Sequence, residues 1–229
     1  MIINGFQKMT LLDFPEKVAC TVFLGGCNFR CPFCHNAGLV LGNNPESYTE
    51  EEILSYLENR KGLLDGVCIT GGEPTLRPDL LPFIEKIKAL GFAVKLDTNG
   101  TNPALLKELI DKALVDYVAM DIKNSFEKYP ETCGLDSMEL DSIKESISLL
   151  IGGGVDFEFR TTIVSELHTV EDIEALTKEI KGAKKYFLQN FVDSGDLLAQ
   201  GYSAHETEVL NEMLAAAQKN IPEAALRGV

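Results

Sequence analysis

Positive charge is scarce in this sequence of 229 residues. Its 21 lysines and arginines stand against 35 aspartates and glutamates, which gives a formal net charge of −14. Nucleic acids and anionic membrane surfaces bind clustered positive charge, so we expect neither as the main partner. Hydrophobic residues make up 45% of the chain, a share that excludes disorder as a description of the whole.

Long apolar runs are also missing. No stretch approaches the roughly 18 residues that a membrane-spanning helix needs. The first 20 residues include acidic residues and a proline, which interrupt the unbroken apolar segment that a signal peptide requires. We therefore expect a soluble protein of the cytoplasm.

Cysteines are few and unevenly spread. Six cysteines are too few for a disulfide-built scaffold of this length, and a reducing compartment disfavours disulfides. Cys20 and Cys68 fall inside predicted strands, where a free thiol behaves as a small buried hydrophobe, and nothing in the sequence suggests a partner for Cys133. The remaining three cysteines lie together in one short loop.

Short apolar, β-branched runs alternate with stretches of helical periodicity along the whole chain. A helix after Thr49 is signalled by a capping box that pairs this residue with Glu52. The predicted strands span residues 18–24, 66–70, 93–97, 117–122, 157–164 and 186–192. The predicted helices span residues 50–60, 78–90, 103–113, 139–151, 170–180 and 204–220.

Six β-then-α units in series predict an α/β fold with parallel strands and right-handed crossovers. A complete eight-unit barrel needs about 250 residues, so six units favour a partial (β/α)6 barrel. A doubly wound open sheet is the alternative. We expect a single domain over residues 1–229, with residues 1–17 as an N-terminal extension that packs on the barrel edge.

Polar residues follow the predicted strands at the edge where both architectures place their chemistry. The row consists of Gly25-Gly26-Cys27, Gly71-Gly72-Glu73-Pro74-Thr75, Asp97-Thr98-Asn99-Gly100, Asp121-Ile122-Lys123 and Gln189-Asn190.

The cysteine loop has the spacing C-x3-C-x2-C, formed by Cys27, Cys31 and Cys34. Soft sulfur ligands this close together select zinc, copper(I) or iron–sulfur clusters. A structural zinc site and a ferredoxin cluster each use four ligands, and the sequence offers no fourth. Three ligands favour a four-iron cluster with one iron open to a substrate, while a zinc site and incidental thiols are the alternatives.

The loop, with the aromatic Phe33 before its last cysteine, resembles the cluster motif of the radical S-adenosylmethionine (radical SAM) superfamily, and the run Gly71-Gly72-Glu73-Pro74 resembles the GGEP motif of that superfamily. A longer series of motifs resembles the glycyl-radical-enzyme activating proteins, and among them the anaerobic ribonucleoside-triphosphate reductase-activating type. It is carried by Thr10-Leu-Leu-Asp13-Phe-Pro15, Cys34-His35-Asn36, Asp97-Thr98-Asn99-Gly100, Asp121-Ile-Lys123 and Arg160-Thr-Thr. One departure is Asp13-Phe14-Pro15-Glu16, where many activases have Asp-Gly-Pro-Gly. It weakens the assignment of which glycyl radical enzyme is activated, but not that of the radical chemistry.

The resemblance implies a radical SAM type of barrel and an anaerobic oxidoreductase. Its cofactors would be a [4Fe–4S] cluster on Cys27, Cys31 and Cys34 and S-adenosylmethionine (SAM) on the open iron. Reductive cleavage of SAM would generate a glycyl radical on a partner, the anaerobic ribonucleotide reductase, with a flavodoxin or ferredoxin-type protein as electron donor.

The resemblance also implies roles for individual residues. Phe33 would lie near adenine, and Glu73 would accept a hydrogen bond from the SAM amino group. A monovalent or divalent cation would bind Asp97, Thr98 and Asp121 beside the SAM carboxylate. The other residues assigned to SAM are Gly71, Gly72, Lys123, Arg160 and Asn190.

Several alternatives stay open. Within the superfamily they are an activase of another glycyl radical enzyme, such as pyruvate formate-lyase, and an enzyme that acts on a small molecule, such as a deazapurine synthase. Outside it they are an electron-transfer iron–sulfur protein and a zinc-binding interaction module. The GGEP run and the missing fourth cysteine argue against an electron carrier, which gains nothing from an open iron.

Overall fold

A parallel sheet with helices packed against it forms the centre of the computed structural model, which describes residues 1–42, 47–193, 195 and 197–228. The strands are β1 (Ile2–Ile3), β2 (Gly5–Thr10), β3 (Ala19–Leu24), β4 (Tyr48–Thr49), β5 (Gly66–Gly71), β6 (Ala93–Thr98), β7 (Tyr117–Asp121), β8 (Asp156–Ile163), β9 (Tyr186–Asn190) and β10 (Ala224–Arg227). The helices are α1 (Ala37–Leu41), α2 (Glu50–Glu58), α3 (Leu80–Ala89), α4 (Pro103–Asp111), α5 (Tyr129–Thr132), α6 (Asp141–Ile151), α7 (Val170–Glu179) and α8 (Thr207–Gln218).

The strand order decides between the two predicted architectures. The main sheet runs β10-β9-β8-β7-β6-β5-β3-β2, so the strands from β3 to β10 follow one another in chain order. All neighbouring pairs in this sheet are parallel except β2 with β3, which are antiparallel. A doubly wound sheet reverses its order in the middle, whereas a barrel keeps it. The α/β fold with a mostly parallel sheet is confirmed.

Local signals account for the helix boundaries. The Thr49 hydroxyl accepts from the Glu52 backbone N–H at 3.2 Å, and the Glu52 carboxylate accepts from the Thr49 N–H at 2.7 Å, so the predicted capping box is confirmed. A second box joins Thr169 and Asp172 at the start of α7. The prediction of the last helix was too long, because α8 begins only at Thr207.

Six of these elements were not predicted, namely the strands β1, β2, β4 and β10 and the helices α1 and α5. Strand β10 adds a seventh parallel strand beside β9, and short helices α1 and α5 follow the cysteine loop and β7. Strand β2 pairs with β3 at the sheet edge, and β1 pairs separately with β4. Within the described residues, no helix is long and apolar enough to cross a membrane.

The strands present two chemically different faces, because successive side chains point to opposite sides. We call the side that carries Asp97, Asp121 and Arg160 the cavity face, since these residues line a cavity at the carboxyl ends of the strands. The opposite side, the helix face, carries fully buried apolar residues that share one core with the helices. These residues include Leu96, Met120 and Phe159, which pack with Phe83, Leu106 and Ile143.

Candidate active site

Three thiols and a row of charged side chains line one cavity. Its volume is about 240 Å³, and it lies where β3, β5, β6, β7 and β8 end. Cys31 is buried, while Cys27 and Cys34 are half-buried. The other predicted site residues that line this cavity are Phe33, Gly71, Gly72, Asp97, Thr98, Asp121, Lys123 and Arg160.

The cysteine loop is tied to the ends of the neighbouring strands. Asn28 bonds Asn99 and Thr101 in the loop after β6, at 2.8 and 3.0 Å. The Asn36 side chain donates to the Gly71 carbonyl at the end of β5, at 3.0 Å. The loop conformation is therefore fixed by contacts that do not use the thiols.

Gly71 and Gly72 bring the end of β5 against the backbone of this loop. A Cβ on Gly71 would lie 2.3 Å from the Leu24 carbonyl oxygen, and the residue has a φ of +122° that favours glycine. A Cβ on Gly72 would lie 1.9 Å from the Gly26 carbonyl oxygen. Packing within the protein therefore requires glycine at both positions, whether or not a ligand also approaches them.

Glu73 is buried behind the cavity, where it joins β5 to β6. One carboxylate oxygen accepts from the Thr75 backbone N–H at 3.0 Å and from the Thr98 hydroxyl at 2.8 Å, and the other accepts from the Asn99 N–H at 2.6 Å. Burial raises the pKa of Glu73, while these hydrogen bonds favour its charged form. It is absent from the described residues that line the cavity.

Arg160 lies between the two carboxylates of the row. Its guanidinium donates to Asp121 at 2.9 Å and to Asp97 at 3.3 Å. Lys123 donates to the other Asp121 oxygen at 3.1 Å, and Lys95 bonds Asp97 from below. Each carboxylate therefore has two cationic partners, which offset the repulsion expected of two acids in one layer.

The charges in this row change the pKa values of their neighbours. Burial alone would raise the pKa of Asp121, but the positive charges of Arg160 and Lys123 outweigh it and lower the pKa to about 2. For Lys123, burial would lower the pKa, and the nearby Asp121 charge raises it instead. Asp121, Lys123 and Arg160 are thus all charged at neutral pH.

The predicted cation position is filled by a side chain. The positive charge between Asp97 and Asp121 belongs to Arg160, and the Thr98 hydroxyl donates to Glu73. Within residues 1–42, 47–193, 195 and 197–228, no three His, Cys, Asp or Glu side chains form a group that could hold a single metal ion.

Asn190 is absent from the described residues that line the cavity. Its amide bonds the backbone of His205 twice, donating to the carbonyl at 3.0 Å and accepting from the N–H at 3.1 Å. The neighbouring Gln189 lines the cavity instead, as does Thr162, which pairs with Gln189 in the sheet register. The alternation of side chains along β8 and β9 was the signal that could have identified both.

Comparison with known proteins identifies the family. The model of the radical SAM superfamily matches residues 21–180. The chain belongs to this superfamily. A protein of Methanocaldococcus jannaschii named "Putative glycyl-radical enzyme activating enzyme MJ1227" is 36% identical over 234 residues, which cover 100% of this chain and 96% of that protein. The pyruvate formate-lyase-activating enzyme of Clostridium pasteurianum is 30% identical over 189 residues, covering 80% of this chain and 77% of that enzyme.

Solved structures of radical SAM proteins share the fold. A radical SAM methyltransferase from Sphaerobacter thermophilus has a TM-score of 0.75, at 14% identity, over 96% of this chain and 68% of its own. A domain of a pyruvate-formate lyase-activating enzyme from Bacteroides vulgatus has a TM-score of 0.55, at 16% identity, over 71% of this chain and 99% of its own. The family model and the two sequence relatives show that the chain is a radical SAM enzyme related to the glycyl-radical-enzyme activating enzymes.

The family implies a [4Fe–4S] cluster and SAM, and the cavity fits both. Three cysteines of the loop reach the cavity, and no further thiol lines it among the residues that the structure describes. SAM carries a carboxylate beside an ammonium and a sulfonium group. The cavity correspondingly offers the cations Lys123 and Arg160 beside the carboxylates Asp97 and Asp121.

Proposed function

We propose that this protein is an activase that uses a [4Fe–4S] cluster and SAM to generate a glycyl radical on a partner enzyme. The observation that carries the proposal is that three thiols of one short loop and a row of paired charges line the same cavity. An electron carrier or a zinc module would need the thiols alone, whereas a SAM-cleaving enzyme needs the thiols and a polar ligand site together.

We assign the cluster to Cys27, Cys31 and Cys34. Held by these three thiols, the cluster would supply the one electron needed for reductive cleavage of the SAM carbon–sulfur bond, the chemistry that would provide for removal of a hydrogen atom from glycine. The chain contributes a buried position for this chemistry and fixed charges that orient the ligand.

We assign the SAM carboxylate to Lys123 and Arg160, the cations at the cavity wall, and the ammonium group to the side of Asp97. Phe33 is buried and lines the cavity, which suits the predicted contact with adenine. A contact of Glu73 with the SAM ammonium group stays a prediction, and its oxygens also join the ends of β5 and β6 by accepting hydrogen bonds from protein groups.

A monovalent or divalent cation at Asp97, Thr98 and Asp121 stays a prediction. Such an ion would have to replace Arg160 between the two carboxylates. Binding of SAM offers a way to do so, since its carboxylate would draw the guanidinium away from one of them.

For the partner we propose anaerobic ribonucleotide reductase, with a flavodoxin or ferredoxin-type protein of the cytoplasm as electron donor. The support is the run of motifs from Thr10 to Arg160. The 30% identity to a pyruvate formate-lyase-activating enzyme favours that lyase as the second candidate. In either case the cavity must admit a peptide loop.

The test begins with anaerobic reconstitution of the cluster, reduction with dithionite and addition of SAM. We expect 5′-deoxyadenosine and methionine from the wild-type protein. Cys31→Ala should lose both bound iron and product, because it removes one of three ligands. Cys20→Ala, which removes a buried thiol of β3 outside the loop, should keep both.

Two results would overturn the proposal. One is a wild-type protein that binds four irons and is fully reduced yet forms no 5′-deoxyadenosine. The other is full iron content in Cys31→Ala. If 5′-deoxyadenosine forms but no hydrogen atom is removed from a glycyl radical enzyme, the result would instead favour an enzyme that acts on a small molecule.

A further inference from the structure

Lys95 is a buried lysine to which the proposed function gives no role. It lies on β6 two positions before Asp97, so both side chains point to the cavity face. The Lys95 side chain is 2% exposed, and it is absent from the described residues that line the cavity. Lys95 therefore lies beneath the cavity, enclosed by protein.

The Lys95 ammonium group is held on Asp97. It donates to Oδ1 of Asp97 and to the sulfur of Cys68, the latter at 3.8 Å. A buried ion pair is often no more stabilising than apolar side chains of the same volume, because both charges lose their water. Stability alone therefore does not account for a lysine at this position of the sheet.

The two oxygens of Asp97 have different partners. Oδ1 accepts from Lys95, while Oδ2 accepts from the Arg160 guanidinium at 3.3 Å. Arg160 lines the cavity and bonds Asp121 more closely, at 2.9 Å, whereas Lys95 is enclosed. A ligand in the cavity can therefore replace Arg160 on Oδ2, but it cannot replace Lys95 on Oδ1.

We propose that Lys95 is a positioning residue that holds Oδ1 of Asp97 beneath the cavity, so that Oδ2 faces the ammonium group of SAM once Arg160 turns to the SAM carboxylate. This inference rests on the proposed function, in which the ammonium group binds on the side of Asp97. A carboxylate fixed through one oxygen presents the other in a single direction, and it loses little freedom when the ligand binds.

The test measures equilibrium binding to the reconstituted protein with its cluster oxidised, so that no SAM is cleaved. Two ligands are compared, namely SAM and 5′-methylthioadenosine, which keeps the adenosine and the sulfur but has neither the ammonium group nor the carboxylate. Lys88→Met is the matched control for Lys95→Met, because Lys88 donates to both oxygens of Asp116 in a Lys–Asp pair outside the described cavity lining.

In Lys95→Met we expect SAM to bind about tenfold more weakly, roughly the cost of one charge-assisted hydrogen bond, because the released carboxylate turns to Arg160. Binding of 5′-methylthioadenosine should not change, and Lys88→Met should bind both ligands as the wild type does. Unchanged SAM affinity in Lys95→Met would overturn the inference. So would a rise, which would make Lys95 only a neutraliser of the Asp97 charge, and so would an equal loss for both ligands.

A double variant tests whether Lys95 acts through Asp97. Asp97→Asn alone should weaken SAM binding, and adding Lys95→Met to it should cause no further loss, since the carboxylate that Lys95 holds is already gone. The double variant has neither the lysine nor the carboxylate of the pair, so it keeps the inference testable if Lys95→Met fails to fold. A further loss in the double variant would contradict the positioning role.

These results separate the inference from the proposed function. A wild-type protein that binds SAM and holds a fully reduced cluster, yet forms no 5′-deoxyadenosine, contradicts the proposed function. A wild-type protein that cleaves SAM, with wild-type SAM affinity in Lys95→Met, contradicts only the role of Lys95.

Discussion

On strand β8, alternate residues face the helices and the cavity and have different roles. Phe159 and Ile163 are fully buried on the helix face, while Arg160 and Thr162 line the cavity on the other side. The same alternation places Leu96 against the helices and Asp97 in the charged row. The helix face therefore supplies the burial that stabilises the sheet, and the cavity face can carry charges at positions that a plain barrel would fill with aliphatic side chains.

The largest expected effect is on the helix face. Phe159→Ala should lower the free energy of unfolding by about 3–5 kcal/mol, because it removes a fully buried ring from the core. Thr162→Ala, three positions along the same strand, should lower it by less than about 1 kcal/mol. Urea unfolding of both variants tests the comparison. Equal decreases in the free energy of unfolding would contradict the conclusion that the helix face supplies most of the stabilising burial.

A smaller effect is expected from the charged row. Arg160→Met leaves Asp97 and Asp121 facing each other without a cation between them. We expect the free energy of unfolding to fall by about 2 kcal/mol at pH 7, which is less than for a fully buried ion pair. The exposed pair Lys107–Asp111 offers a control, since Lys107→Met should change stability by less than about 0.5 kcal/mol.

The pH dependence of this effect has a definite sign. The pKa of Asp121 is lowered to about 2 by its cationic partners, so its contribution is present above the unfolded pKa of about 4 and is lost as the pH falls through 2. In Arg160→Met, Asp121 loses one of its cationic partners and protonates more readily, so the difference from the wild type should shrink as the pH falls below about 4. A difference that stays constant from pH 7 to pH 3 would contradict the ion-pair account.

The smallest effect compares two adjacent residues of β9. Gln189→Ala should weaken SAM binding by about three- to tenfold, roughly one hydrogen bond, because Gln189 lines the cavity. Asn190→Ala should leave SAM affinity within about twofold, because its amide is engaged with the His205 backbone. Equilibrium binding of SAM to the reconstituted protein measures both, and the reverse order would support the prediction of Asn190 as a SAM-binding residue.

The sequence predicted the parts of this fold that depend on local signals. The capping box at Thr49 and the short apolar strands are legible along the chain, so the α/β units were found with boundary errors of up to three residues. Strand β10 was missed because its four residues become a strand only through pairing with β9.

For the candidate site, the sequence predicted the location but not the contacts between its side chains. Clustered thiols and polar strand ends pointed to the right edge of the sheet. The position of Arg160 between two carboxylates and the backbone hydrogen bond of Arg30 with Cys133 depend on tertiary packing between distant segments. No periodicity along the chain encodes such contacts.

The central claim is that the cavity face directs radical chemistry onto a glycine of another protein. The most direct measurement is electron paramagnetic resonance of a mixture that contains the reduced, reconstituted protein, SAM and anaerobic ribonucleotide reductase, with pyruvate formate-lyase in a parallel sample. We expect a glycyl radical signal on the reductase that requires SAM and disappears with Cys31→Ala. Formation of 5′-deoxyadenosine with no glycyl radical on either partner would contradict it.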